Sequence, residues 1–220
     1  MYLPRAASGK VATYERVGVM DPAALDVAVA RAVEVLAEGG LLAHPTQTVY
    51  GIGGAVSPGV DRCAARMKGR DPDLYPLLRI ASDRAALLAA FPGLAWTDAA
   101  SALADRYWPG PLTLILDHDS SSTVAVRVEA HPVTRRILAA WGAPIGSTSL
   151  NVTGTPPAAK LAEARLCLER MPEAGVPTLL VEAGDLPGEP ASTIVSLGAD
   201  GPRVVREGAI TAAEVLQCVR

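Results

Sequence analysis

Aromatic residues make up only 4% of this 220-residue chain, too few for the stacking platforms that bind single-stranded nucleic acids. Basic charge is not in excess either. The net charge is −3 and the pI about 5.6, which argues against a non-specific nucleic-acid coat but leaves room for a local basic pocket. The three cysteines, Cys63, Cys167 and Cys218, are far apart and in no metal-ligand spacing, so they read as structural thiols of a reducing compartment. His44, His118 and His131 are equally scattered, and no protein-built metal cage is expected. No apolar run approaches the roughly 20 residues that span a bilayer. The opening MYLPRAASGK lacks the apolar core of a signal peptide. A cytoplasmic protein without membrane contact is the expectation. Three common signatures are missing as well. There is no G-x-x-x-x-G-K-[ST] loop, no full dinucleotide fingerprint around Gly51-Ile52-Gly53, and no G-x-S-x-G elbow.

What the sequence does have is regular punctuation. Asp21-Pro22 and Ser57-Pro58 each pair an N-cap with a first-turn proline. Leu25, Val29, Ala32, Val33 and Leu36 follow the first at helical spacing, up to Gly39-Gly40. Val60, Cys63, Ala64 and Met67 follow the second, up to Lys68-Gly69-Arg70. Between them lies the stretch 41–54, LLAHPTQTVYGIGG. It reads as a buried strand ending near His44, since Pro45 has no N–H for a ladder, and then a glycine loop. That loop is either a plain strand-to-helix turn or a binding loop at a strand end. Further helices are predicted from a Ser82 cap to Ala90, from a Thr97 cap to Tyr107, over Thr134–Trp141, over 160–171, and from a Thr211 cap to Val219. Strands are predicted over Leu77–Ile80, Ile145–Thr148, Thr178–Val181, Thr193–Leu197 and Val204–Arg206. Leu112–Leu116 and Val124–Val128 form a hairpin. Residues 1–20 are set aside as an N-terminal extension, with a short strand over Val11–Tyr14, and 21–220 are taken as one domain. The alternation predicts an α/β fold: a single mixed sheet covered by helices.

Several clusters could carry chemistry. Arg66, Lys68 and Arg70 place three cations within five residues. That suits a triphosphate, or simply a helix C-terminus whose dipole favours cations. Ser147-Thr148-Ser149-Leu150-Asn151-Val152-Thr153-Gly154 follows a strand and is dense in groups that either bind polar ligand atoms or make local turns. Trp108-Pro109-Gly110-Pro111 is a rigid turn that leaves Thr113 placed to point at a ligand. Arg127 and Arg206 end β-branched runs, where binding sites or surface ion pairs occur. Ser192 opens a strand.

Taken in order, these motifs resemble the YrdC-like family, whose best-known members are threonylcarbamoyl-AMP synthases. The motifs are Pro45-Thr46-Gln47-Thr48-Val49-Tyr50-Gly51, Lys68-Gly69-Arg70, Trp108–Thr113, Val124-Ala125-Val126-Arg127, Ser149–Gly154, Ser192-Thr193 and Val205-Arg206-Glu207-Gly208. The resemblance covers roughly residues 25–212 and is to the short, single-domain bacterial form. It implies a twisted mixed sheet around a large basic cavity, in which L-threonine, bicarbonate and ATP condense to threonylcarbamoyl-AMP and pyrophosphate. A downstream tRNA threonylcarbamoyl transferase complex would take the product, with tRNA itself bound at most weakly and transiently. By the same resemblance Lys68 and Arg70 are catalytic. They bind ATP together with Thr113, Ser149, Asn151 and Arg206. Thr48, Arg127, Thr148 (with Ser147 able to share the role) and Ser192 bind threonine. Mg²⁺ is held mainly by phosphates, with no protein metal site. Three positions depart from the family pattern: Gln47 replaces a usual acid, Leu150 replaces a small alanine, and Tyr75 stands where Lys or Asn is common. Two alternatives stand beside this reading, a paralogue with another carbamoyl-adenylate substrate or no activity, and a non-catalytic RNA-binding module.

Overall fold

The computed structural model describes residues 13–71, 77–119, 122–172, 174–188 and 190–219. In chain order the elements are β1 (Glu15–Gly18), α1 (Pro22–Ala37), β2 (Leu41–Pro45), β3 (Tyr50–Ala55), α2 (Pro58–Met67), β4 (Leu78–Ala81), α3 (Arg84–Ala90) and α4 (Asp98–Tyr107). They continue with β5 (Leu112–His118), β6 (Ser122–Val128), α5 (Pro132–Trp141), β7 (Ile145–Ser149), α6 (Leu161–Arg170), β8 (Thr178–Glu182), β9 (Thr193–Gly198), β10 (Gly201–Arg206) and α7 (Ala212–Cys218). All the strands join one sheet in the order β1-β8-β2-β3-β7-β4-β6-β5-β9-β10. The pairing is mixed: β2–β8, β4–β6 and β5–β9 are parallel, while β2–β3, β3–β7 and β5–β6 are antiparallel.

The caps act where the sequence puts them. The side chains of Asp21, Ser57, Thr97 and Thr211 each accept a backbone N–H from the first turn of their helix, satisfying a donor that has no partner inside the helix. One cap differs. Asp83, not Ser82, caps α3, its carboxylate accepting from Ala86 N at 2.8 Å. Ser82 instead donates to Asp83, and a carboxylate is the better acceptor for a helix N-terminus. The first strand is Glu15–Gly18, paired with β8, rather than Val11–Tyr14; residues 11 and 12 lie outside the described residues. Tyr75 lies outside them too.

The larger difference is the glycine stretch. Tyr50–Ala55 is not a loop but a buried strand, hydrogen-bonded to β2 on one side and β7 on the other. None of Gly51, Gly53 and Gly54 has positive φ. They are glycines because neighbours crowd them. A Cβ on Gly51 would meet the His44 ring at 2.9 Å and Ser147 Oγ at 3.0 Å. A Cβ on Gly53 would overlap the Gly146 carbonyl, and one on Gly54 that of Gly40. The glycines let β3 lie against its neighbours at closer range than any side chain permits.

Alternation along the strands sorts residues between layers. Leu41 and Ala43 of β2 pack with residues of α2 and α6, while Leu42 packs with α1 and α5. In β5, Leu112, Leu114 and Leu116 are buried beneath α4 and α7. The intervening Thr113 and Ile115 face a cavity instead. In β6, Val126 joins that core while Ala125 and Arg127 line the cavity. The cavity therefore lies over the uncovered face of β5 and β6 and extends to β3 and β7.

Packing this close gives a test. Gly53→Ala should destabilise the fold by about 3 kcal/mol, because the backbone that the new methyl meets cannot move aside. At Gly59, in the first turn of α2, a Cβ has space, and Gly59→Ala should stabilise by about 0.5 kcal/mol. Urea unfolding of the two variants measures both. Equal stability of Gly53→Ala and the parent chain would show that the strand tolerates a side chain there.

Candidate active site

A cavity of about 390 Å³ lies on that bare face, within the range of small-molecule sites. Every candidate binding residue lines it except Asn151: Lys68, Arg70, Thr113, Ser149 and Arg206 from one expected set, and Thr48, Arg127, Thr148 and Ser192 from the other. Four of these are cations, and no Asp or Glu is among the described lining residues.

Lys68 organises the first group. It is the C-cap of α2 and only 1% exposed. Its ammonium donates to Thr148 Oγ1 at 3.1 Å, Ser149 Oγ at 3.1 Å and Asn151 Oδ1 at 2.8 Å, and to the Ser149 carbonyl. Asn151 thus stands behind Lys68 and contributes through it. Burial, and then the charge of Arg70, push the Lys68 ammonium down to about 7. Gly69 has φ 68°, the left-handed conformation that ends a helix and that glycine adopts without strain. The turn sends the chain back to Arg70. Thr153, which the motif reading left without a role, secures that turn. Its hydroxyl donates to Lys68 O at 2.7 Å and accepts from Arg70 Nε at 3.1 Å.

The second group joins three strands. Thr113 Oγ1 and Ser192 Oγ are 3.0 Å apart, and Arg206 donates to Ser192 O at 2.7 Å. Burial, then Arg127, lower the Arg206 guanidinium from its usual range. The two expected sets are thus interleaved. Thr148 of the amino-acid set bonds Lys68 of the phosphate set, and Ser192 of the amino-acid set bonds Thr113 and Arg206.

The third group is Arg127 with a partner that sequence reading missed. Glu129 is 1% exposed, and its carboxylate accepts from Arg127 Nη2 at 2.6 Å. Burial alone would raise this carboxyl, but Arg127 and backbone donors outweigh it and hold it below its ordinary value. The signal available in the sequence was the spacing: residues two apart at a strand end share a face. His44 was also missed as a site neighbour. It is fully buried, with Nε2 3.2 Å from Ser147 Oγ. Among the described residues, His44 Nδ1, His131 Nδ1 and Arg127 Nε are buried without a hydrogen-bond partner. No group of three His, Cys, Asp or Glu among the described residues could hold a metal ion. No described helix is long and apolar enough to cross a membrane.

Comparison with known proteins now decides the family. Residues 34–208 match Sua5/YciO/YrdC, a family described as telomere recombination. The chain belongs to this family. A Sua5/YciO/YrdC relative, the threonylcarbamoyl-AMP synthase of Xanthomonas campestris pv. campestris (strain B100), is 36% identical over 149 residues, 58% of this chain and 73% of that protein. A putative threonylcarbamoyl-AMP synthase of Mycobacterium leprae (strain TN) is 33% identical over 204 residues, 86% of each chain. The crystal structure of P. abyssi Sua5 complexed with L-threonine superposes with a TM-score of 0.77 at 26% identity. It covers 94% of this chain, which spans 61% of that one. Against the Sua5/YciO/YrdC pattern, the Leu150 departure is a packing change. Its side chain is fully buried in the core with Tyr50 and Ala164 and does not line the cavity. Gln47 is exposed and also outside the lining.

The buried histidine gives a stability prediction. Burial holds His44 at about 4 against an ordinary 6.5; Glu129 raises it, while Arg127 and His131 lower it. Between pH 6.5 and 4 the unfolded chain therefore binds a proton that the folded chain refuses. Stability is complete above 6.5 and falls with pH, by about 3 kcal/mol at pH 4 from this group. His131, also lowered by burial, adds in the same direction. His44→Gln should flatten the stability–pH curve over that interval in urea titrations. An unchanged curve would show that the folded ring takes up its proton as readily as the unfolded one.

Proposed function

We propose that this chain is an L-threonylcarbamoyladenylate synthase, condensing L-threonine, bicarbonate and ATP into threonylcarbamoyl-AMP and pyrophosphate. The observation that carries the reading is the distribution of cations in one cavity. Lys68, Arg70, Arg127 and Arg206 line one cavity together with the hydroxyls of Thr48, Thr113, Thr148 and Ser192. The names of its relatives, including a Sua5 crystallised with L-threonine, support the same reading.

In this reading Lys68 and Arg70 hold the triphosphate, with Thr113, Ser149, Asn151 and Arg206 completing the nucleotide side. Lys acts as a point charge and Arg as a planar fork, a division suited to bridging phosphate oxygens. Arg127, whose side chain lines the cavity, grips the threonine carboxylate, and Thr48, Thr148 and Ser192 orient the amine and hydroxyl. Threonine's neutral amine adds to carbon dioxide or bicarbonate to give the carbamate, releasing a proton to solvent in the first case and water in the second. The carbamate oxygen then attacks the α-phosphorus, and the bond to pyrophosphate breaks. No protein nucleophile is needed. The protein's contribution is to orient three reactants and to stabilise charge that develops on phosphate oxygens. Mg²⁺ enters as part of the nucleotide substrate, held by phosphate and water oxygens, since no carboxylate is among the described lining residues. The product is consumed by a tRNA threonylcarbamoyl transferase complex in the cytoplasm, and tRNA meets this chain weakly if at all.

Pyrophosphate release from ATP and Mg²⁺ tests the proposal, with threonine and bicarbonate each supplied or withheld. Release should require both. Lys68→Ala or Arg70→Ala should lower turnover by at least about a hundredfold, as loss of a charged transition-state donor does elsewhere, with the thermal transition retained. Release with a different amine only would make the chain a paralogue. Salt-dependent tRNA binding without ATP turnover would make it an RNA-binding module.

The Lys68 ammonium supplies a second test. A bound triphosphate favours its charged form, which the empty site already holds below pH 7. Above that pH, binding must bring a proton. The affinity for ATP–Mg²⁺ should therefore fall from pH 7 to 8.5, by up to about tenfold per pH unit. In Lys68→Met, binding should be weaker and lack that dependence. The same slope in the variant would move the titration to another group.

A further inference from the structure

Arg127 ends the sheet face that forms the cavity floor, and two residues later the chain buries a carboxylate. All of that carboxylate's capacity is used. Glu129 Oε2 takes Arg127 Nη2 at 2.6 Å. Oε1 accepts from Gln47 N at 3.1 Å, Ala130 N at 3.0 Å and His131 N at 3.1 Å. The last of these donors belongs to the N-cap of α5, whose own side chain makes no capping bond. One side chain therefore fastens three segments: the end of β6, the start of α5, and the Thr46–Val49 turn, which carries Thr48 into the cavity. Arg127 is left with Nη2 committed on its buried side. Its Nε is buried without a partner among the described residues, although the side chain lines the cavity.

We infer that Glu129 is a positioning residue for the amino-acid end of the cavity, aiming the Arg127 guanidinium at an incoming carboxylate and fixing the turn that carries Thr48. A guanidinium gripped at one nitrogen presents its remaining donors in one plane, so a carboxylate meets a preset fork instead of a rotating one. Ordering Arg127 before the substrate arrives lowers the entropy lost on binding. Glu129 also supplies the carboxylate at this corner. Position 47, where the family usually has an acid, is an amide whose backbone N–H, not its side chain, meets Glu129. Because Glu129 lies behind Arg127 and outside the cavity lining, it acts through Arg127 and does not touch substrate.

This inference rests on the synthase reading for the identity of the carboxylate, so its test has one arm that depends on that reading and one that does not. In the first arm, Glu129→Gln should raise KM for threonine by about tenfold, the scale of one lost charge-assisted hydrogen bond. Turnover at saturation should stay within about twofold, and KM for ATP should be unchanged. In the second arm, no substrate is present. In ¹⁵N-labelled protein the held guanidinium of Arg127, assigned by its loss in Arg127→Lys, should give separate Nη resonances, and these should merge in Glu129→Gln. Glu129→Asp keeps the charge but withdraws it by one methylene. It is read the same way should the amide variant fail to fold, and should show a smaller rise in KM. Unchanged KM for threonine with a fall in turnover would overturn the proposal, as would Arg127 resonances that stay separate without Glu129. A wild-type chain that releases no pyrophosphate with threonine would overturn the synthase reading instead, and the guanidinium resonances would still decide whether Glu129 holds Arg127.

Discussion

The site depends on an ammonium group with almost no access to water. Lys68 Nζ has three hydrogens to donate and four oxygens around it, all from Thr148, Ser149 and Asn151. Removing an ammonium from water is costly unless such partners replace the hydration shell. The replacement is good enough to hold the charge near pH 7, but burial and Arg70 leave the group less basic than a solvated lysine. An anion in the cavity would tip it fully to the charged form. The same contact ties the C-terminus of α2 to the end of β7, so this cavity-lining cation is also a joint between two elements. Thr153 adds the second fastening, bonding both the carbonyl of Lys68 and the guanidinium of Arg70. In the proposed reading a residue held this firmly has its geometry set before the nucleotide arrives, and that preorganisation is what electrostatic catalysis requires.

Bringing β7 to that position is the work of the glycines. β3 runs between β2 and β7, Gly53 pairing with Ser147 and Gly54 with Gly146, and a methyl group on Gly53 would overlap the Gly146 carbonyl. A Cβ on Gly146 would press on Arg79 Nη1 and Asp61 Oδ1, the ion pair that links α2 to β4. Strand pairing, the helix that ends in Lys68 and the cavity wall are therefore one packing problem. The solution uses residues whose defining feature is that they occupy no volume.

Much of this architecture is legible from local chemistry. Caps such as Asp21, Ser57, Thr97 and Thr211 announce helix starts because the orphan N–H groups of a first turn need acceptors nearby in sequence. The hairpin of β5 and β6 shows in its β-branched residues, and runs longer than expected, to the pair His118–Ser122. The strand character of Tyr50–Ala55 was not legible. Glycine serves both a turn and a close approach, and what separates the two is Gly146, far along the chain. The functional meaning of Glu129 was hidden for the same reason, since its acceptor role is defined by Gln47 N–H across 82 positions. The direction of Leu150 follows from its backbone. Its N–H bonds Tyr50 O and its carbonyl takes Ala158 N–H, which turns the side chain into the core between two residues that hold the Lys68 ammonium.

The cations of the cavity are not alike, since Arg127 has a buried carboxylate as counter-charge. At Lys68 the ammonium has hydroxyls and an amide as partners. Arg127 is countered by Glu129, and the lowered guanidinium of Arg206 reflects burial and then the proximity of Arg127. A uniform set of four cations would pull a polyanion into every part of the cavity. With Glu129 neutralising one of them from behind, the Arg127 position keeps the hydrogen-bonding geometry of arginine while losing much of its net charge. In the proposed reading this countered arginine suits a zwitterion, which brings one carboxylate and one ammonium, while Arg206 completes the nucleotide side. That match comes from a carboxylate that the ligand never meets, acting over the width of a single guanidinium where low dielectric keeps the interaction strong.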